Sequence, residues 1–200
     1  MGKFLWLLNT PDGAPKYVDD IGGHTFDVAQ QPVLESSDLP AYDGIVLTMH
    51  SDQKHLQSVS SRLESFLEGG GSVVFNGHVA HPFLTGLSPF RPIVQNGLES
   101  FRIHVEAGHA LFDGLTSDDL TFQRGVAGFY SRGTNPPPEG ATVLTTIGID
   151  RAPVDWIAPV GRGKLFVHTG NDLFSFLHRA DPEGLSVLKQ FFSHFERSIR

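Results

Sequence analysis

Two buried-type apolar runs, Ile45–Met49 and Val73–Phe75, bracket a segment whose apolar residues recur at helical spacing, and this unit constrains the fold more than any other feature. Asp43-Gly44 leads into the first run, which ends at His50. Ser51 is placed to cap a helix, with Asp52 in its first turn. Leu56, Val59, Leu63, Phe66 and Leu67 then form one stripe through Glu68. Gly69-Gly70-Gly71 stops the helix, and Ser72–Phe75 follows as a strand ending at Asn76-Gly77-His78. Residues 43–78 therefore predict a strand–helix–strand crossover, which joins two parallel strands almost always with right-handed connection.

Other segments extend this pattern. Phe4–Leu8 is a continuous apolar run, as expected of a strand covered on both faces, and Phe26–Ala29 is a weaker candidate. Phe101–Val105 and Ala141–Ile147 read as strands, separated by the rigid Pro136–Pro138 loop. The stretch from about 85 to 140 is rich in glycine and proline, which predicts long loops and some antiparallel pairing. Val154–Val160 and Lys164–Val167 flank the Gly161-Arg162-Gly163 turn, and the second of these strands leads into His168-Thr169-Gly170-Asn171-Asp172. A final helix is expected with Asp181 as cap, Pro182 at its first position and a face of Leu185, Leu188, Phe191, Phe192, Phe195 and Ile199. Any of those phenylalanines left exposed would mark a self-association surface, and Trp156 is expected in the core or a pocket wall.

The chain has 200 residues, 40% of them hydrophobic and 18% charged, which suits one α/β domain over 1–200 with an irregular insertion near 85–140. A formal net charge of −7 argues against nucleic acid or an anionic membrane as partner. No apolar run approaches the roughly 18 residues of a membrane span, and the first is too short for a signal peptide, so a cytoplasmic location is expected. The absence of cysteine removes disulfides, thiolate metal sites and cysteine nucleophiles together.

In open parallel sheets ligands bind beyond the carboxyl ends of the strands. The expected strands deliver to that edge Asn9, His50, Asn76, His78, His168, Asn171 and Asp172, with His81 close behind. These are the candidate ligand-binding residues. His168, His78 and His50 are the candidates for acid–base work, a role suited to imidazole near neutral pH. His78 and His81 form an H-x-x-H pair, which on a helix would share one face. No cofactor is expected; zinc or another divalent ion held by His50, His78 and His168 is the alternative. Gly161-x-Gly163 has no following helix and is not a dinucleotide fingerprint, and neither H-E-x-x-H nor G-x-S-x-G occurs.

The stretch YDGIVLTMHSDQKHLQSVSSRLESFLEGGGSVVFNGH resembles the central unit of class I glutamine amidotransferase-like domains. HALFDGL (His109–Leu115) and PVDWIAPVGRGKLFVHTGND (Pro153–Asp172) resemble the H-P-[ILV]-F-x-G-L element and the P-V-x-W strand pair of that superfamily's trehalose-utilisation-protein branch. The likeness covers roughly two-thirds of the chain and implies a flavodoxin-like three-layer α/β sandwich with a mostly parallel sheet. The resemblance also implies an elbow of the form G-x-C-x-G-H, and here Phe75, or Asn76 one position on, stands where the cysteine would be. His168 falls near the family's catalytic histidine, without the Pro-Glu that should follow it.

Three functions from different classes remain open. The leading one is a non-catalytic domain binding a small molecule at the strand-end pocket, with a homo-oligomer as an open option. The second is a hydrolase or other enzyme acting on a sugar- or amide-like metabolite through histidines or a metal at the same edge. The third is a protein-interaction scaffold using the Pro136–Pro138 loop.

Overall fold

The computed structural model describes residues 1–106, 109–171, 173–180 and 185–197. Five helices are described: α1 (Gln53–Ser58), α2 (Ser60–Glu68), α3 (Ser117–Thr121), α4 (Leu173–Ala180) and α5 (Ser186–His194). The strands of the main sheet are β1 (Gly2–Leu8), β2 (His24–Gln30), β3 (Gly44–Leu47), β4 (Ser72–Asn76), β6 (Ile103–Val105), β10 (Thr142–Ile147), β11 (Ala152–Val160) and β12 (Gly163–His168). Two short ribbons pair β5 (Arg91–Pro92) with β9 (Gly133–Thr134) and β7 (Phe122–Gln123) with β8 (Val126–Ala127).

The main sheet runs β2-β1-β3-β4-β12-β11-β10-β6. Its first five strands are parallel, and β12, β11, β10 and β6 pair antiparallel. Alternate residues of each strand face opposite layers, as the pleat requires. Phe4, Trp6, Val46, Val74 and Phe166 pack with α3, α4 and α5. Leu5, Leu7, Ile45, Leu47, Val73, Phe75, Leu165 and Val167 pack with α1 and α2. Both faces of the central strands are thus covered, which is why they read as unbroken apolar runs. The result is a three-layer α/β architecture around a largely parallel sheet.

Several local expectations are corrected. Asp52, not Ser51, caps α1, its carboxylate accepting from the Lys54 and His55 N–H groups at 3.0 and 3.1 Å. The expected single helix is two, broken at Val59. There the Ser58 hydroxyl donates to the His55 carbonyl at 2.7 Å, competing with the backbone ladder. The stripe survives the break, since Leu56, Val59, Leu63, Phe66 and Leu67 are all buried. The strand expected over Phe101–Val105 begins only at Ile103, because Leu98–Phe101 winds into a 3-10 turn.

Helix α4 was not anticipated. In α5, Leu188, Phe191, Phe192 and Phe195 are all 0% exposed, so they offer no self-association surface. Asp181, Pro182 and Ile199 lie outside the described residues. Trp156 is 0% exposed in the core beneath α1 and α2 rather than in a pocket wall.

Candidate functional site

At the carboxyl edge of the sheet, the β11–β12 hairpin sets Asp155 directly across from His168, the last residue of its strand. His168 Nδ1 lies 2.7 Å from Asp155 Oδ1, and both side chains are 0% exposed. A carboxylate only accepts, so Nδ1 carries the proton and donates. The other carboxylate oxygen accepts from the Tyr130 hydroxyl at 2.6 Å and from the Thr145 hydroxyl. Burial raises the Tyr130 pKa well above that of an ordinary phenol, and the Asp155 charge and hydrogen bond add to this. The phenol is therefore a fixed neutral donor. Its ring meets the imidazole edge-on, with centroids 4.8 Å apart.

His168 Nε2 is buried and has no hydrogen-bond partner. Gly170 closes over it, since a methyl group at that position would overlap both Nε2 and the Tyr130 carbonyl oxygen. Only glycine lets the chain pass so close.

One strand over, Asn76 aligns with His168 across the parallel β4–β12 pair. Asn76 is 2% exposed. Its Oδ1 accepts the Leu173 N–H at the start of α4 at 3.4 Å, while Nδ2 is buried without a partner. Neither Asn76 nor Phe75 holds a strained nucleophile conformation; the positive φ after β4 belongs to Gly77, at 144°.

Buried Asn135 locks the loop that follows. It accepts from Val79 N–H at 3.0 Å, donates to the Gly77 carbonyl at 2.8 Å, and its own carbonyl accepts the Trp156 indole N–H at 2.8 Å. With the loop held this way, no helix follows β4. His78 and His81 are both exposed and lie on no helix, so the H-x-x-H spacing does not bring them onto a common helical face.

The three histidines expected together are separated in character. His168 is sealed inside, whereas His50 and His78 are exposed. The His78 ring stacks on Phe90 at 3.8 Å. Although His78 keeps an exposed side, burial of the rest of its ring lowers its pKa, and the nearby His168 adds to the shift. Asn9 is exposed and spends its amide on the His50 carbonyl at 3.0 Å. Asn171 is exposed at the edge, and Asp172 lies outside the described residues. Among the described residues no group of three or more His, Asp or Glu is arranged to hold a metal ion.

A cavity of about 230 Å³ lies at the ends of β1, β3 and β4 beside the first turn of α4. Of the expected residues it is lined by His50, Asn76 and Asn171, and Trp6, Phe174 and Asp12 join them. His168 and Asp155 do not line it; Asn76, which does, aligns with His168 across the β4–β12 pair. Trp6 also leaves its indole N–H buried without a partner.

No protein-family model matches the sequence, and no curated protein matches it. Solved structures share the fold. Two cytoplasmic proteins of Salmonella typhimurium, STM3548 and STM1381, superpose with TM-scores of 0.61 and 0.60, each at 12% identity. The matches cover 99% and 98% of this chain and 100% of each of theirs. A cold-adapted β-galactosidase from Rahnella sp. R3 superposes with a TM-score of 0.54 at 17% identity over 96% of this chain, but over only 30% of its own. Likeness at these identities shows the fold alone. No described helix is long and apolar enough to cross a membrane. With no cysteine, the chain is not a cysteine-dependent glutamine amidotransferase.

Proposed function

We propose that this chain is an enzyme acting on a small sugar- or amide-like metabolite at the carboxyl edge of its sheet, with His168 as acid–base group. The observation that carries the reading is the buried His168–Asp155 pair with its unpartnered Nε2. Asp155 fixes the proton on Nδ1 and so presents Nε2 as the proton acceptor, the division of labour seen wherever a carboxylate orients a histidine base. Tyr130 and Thr145 hold the carboxylate in place. Gly170 closes over Nε2, so substrate would reach it only when that turn moves aside.

The test is turnover of a panel of glycosides, sugars and amides followed by NMR, with His168→Gln and Asp155→Asn as controls. Activity lost in both variants supports the reading. Activity untouched by His168→Gln sinks it.

A second reading has its own support. His168 is 0% exposed and does not line the cavity, which favours a non-catalytic binding domain of the class I glutamine amidotransferase-like kind, related to the trehalose-utilisation-protein branch. Ligand binding without turnover would select it. We also place the chain in the cytoplasm, as the names of the two Salmonella proteins state for them.

A further inference from the structure

The two edge strands of the main sheet, β6 and β2, differ in what covers them. At the β6 edge, the Ile103 N–H donates to the Thr121 hydroxyl of α3 at 2.9 Å, and the Ile103 carbonyl accepts from the Ser117 hydroxyl. These are groups that β6 would offer a further strand. Its flanking residues instead bond toward β10, where the Arg102 carbonyl accepts the Gly148 N–H and the Glu106 N–H donates to the Leu144 carbonyl. An edge closed in this way does not extend.

The β2 edge is open. The Lys3 N–H donates to the Asp43 carboxylate at 2.8 Å, and the Lys3 carbonyl accepts the Asp43 N–H at 2.7 Å. Backbone groups of the odd residues of β1 therefore face β3, and those of the even residues face β2. In the parallel register Phe4 lies beside Phe26, so it bonds Thr25 and Asp27. The backbone N–H and C=O groups of His24, Phe26 and Val28 consequently point away from the sheet. Among the described residues these groups make no backbone hydrogen bond to another segment. Thr25 and Asp27 on one face and Val28 on the other are exposed, so neither face of the edge is covered.

Strand β2 is also self-complementary in one register. A two-fold axis normal to the sheet pairs each residue with the one equally far beyond the axial residue. An axis at Asp27 sets two carboxylates directly opposite one another, which is repulsive. An axis at Val28 sets Asp27 opposite Ala29, which has nothing to offer it. An axis at Phe26 sets Asp27 opposite Thr25 twice, so each carboxylate meets a hydroxyl donor. It also sets His24 opposite Val28, whose side chain is 41% exposed. Gly22 and Gly23, just before the strand, present no side chain to the partner's Gln30 and Ala29.

We propose that β2 is the interface for a second copy of this chain, pairing antiparallel with its counterpart about an axis at Phe26 so that the two main sheets become one. Within each copy Asp27 keeps its bonds to Lys3 Nζ at 2.9 Å and to the Tyr42 hydroxyl at 2.8 Å. This inference is independent of the reading of His168.

The experiment is sedimentation velocity on the full chain over a wide range of concentration, with Thr25→Asp and Thr25→Lys. A monomer–dimer equilibrium is expected. Thr25→Asp sets like charges opposite at two symmetric places and should weaken the dimer, whereas Thr25→Lys sets opposite charges there. Their dissociation constants should differ by about tenfold, with the lysine variant tighter. Within one copy Thr25 lies beside Lys3 across β1 and β2, so any effect on the monomer runs the other way and a thermal melt of dilute protein separates the two. Because the chain has no cysteine, Thr25→Cys and Asp27→Cys provide a second test. Their outward-turned pair has the close spacing a disulfide needs, so oxidising a mixture of the two should cross-link them, and oxidising either alone should not. A monomer at every concentration overturns the proposal. Equal dissociation constants for the two Thr25 variants overturn the edge and its register, as does cross-linking of one cysteine variant alone as readily as the mixture.

Discussion

Replacing Asp155 by alanine tests the central feature of the site directly. The carboxylate is 0% exposed and accepts from three groups: His168 Nδ1, the Tyr130 hydroxyl and the Thr145 hydroxyl. The alanine variant strands three buried donors at once. Each orphan costs about 1–3 kcal/mol, so the naive sum is about 3–9 kcal/mol. Removing the buried charge recovers part of this, because a carboxylate is itself expensive to take out of water. Breaking one side of a buried pair costs about 3–5 kcal/mol in practice, and that is the expected loss here. For a domain of this size each kcal/mol shifts Tm by about 2–4 °C, so a thermal melt should fall by about 6–20 °C.

Tyr130→Phe sharpens the test. The ring stays against His168 and Phe176 while one donor disappears, for an expected cost of about 1–2 kcal/mol. In the double variant Asp155→Ala/Tyr130→Phe no phenol remains to be orphaned. Its cost should then fall short of the sum of the single costs by about 1 kcal/mol or more. A loss below about 1 kcal/mol for Asp155→Ala, or a cycle additive within about 0.5 kcal/mol, would refute the picture of a shared buried network.

Gly170→Ala should cost about 2–3 kcal/mol or more, because the added methyl overlaps the Tyr130 carbonyl and His168 Nε2; urea unfolding that matches the parent would contradict the close packing. His194 supplies a pH signature. Burial first, then the charges of Lys164 and His109, lower its pKa from 6.5 to about 4. Between those values the unfolded chain binds the proton and the folded chain does not. The stability is therefore complete above about 6.5 and is lost as pH falls through about 4. The shift alone corresponds to about 3 kcal/mol, which solvent screening of this half-buried ring reduces to about 1–2 kcal/mol. Chemical unfolding from pH 7 to 4 should show that loss in the parent and a flatter profile in His194→Gln; identical profiles would argue against the assignment.

The parts of the fold legible in sequence are those whose physics is local or periodic. Phe4–Leu8, Ile45–Leu47 and Val73–Phe75 are apolar on every residue because both faces of these strands are covered. The break at Val59 was invisible because Leu56, Val59 and Leu63 keep their spacing across it. The break coincides with the Ser58 hydroxyl bonding the His55 carbonyl, a local contact that the apolar spacing does not register. Helix α4 was missed because Leu173–Leu177 is a short apolar run directly after a polar loop, a pattern that periodicity alone leaves unassigned.

The site divides in the same way. His168 and Asn76 were legible because strand ends deliver polar groups to one edge. Their partners were not, because pairing across strands is non-local. Asp155 touches His168 through the hairpin register, Tyr130 arrives from a stretch with no pattern at all, and Leu173 reaches Asn76 from a helix the sequence did not announce. One signal did exist: Asp155 is the lone charge inside the apolar strand Val154–Val160. A buried carboxylate there has to be satisfied by something, and a histidine at the end of the neighbouring strand was the available partner.

Stability does not explain why the chain keeps this arrangement. A buried ion-paired cluster can often be replaced by apolar side chains at no loss, or even with a gain of about 1–4 kcal/mol. Here the cluster is retained, and the same face of the sheet leaves three further buried atoms unpaired: His168 Nε2, Asn76 Nδ2 and Trp6 Nε1. Each of those atoms weakens the folded state as it stands. Two belong to residues lining one cavity, and the third belongs to the residue aligned with Asn76 on the neighbouring strand. A group that reached any one of them would recover that cost as binding free energy. The missing cysteine removes one chemistry from this edge, but it leaves the oriented imidazole and the unpaired donors, and any account of what the protein does has to start from those.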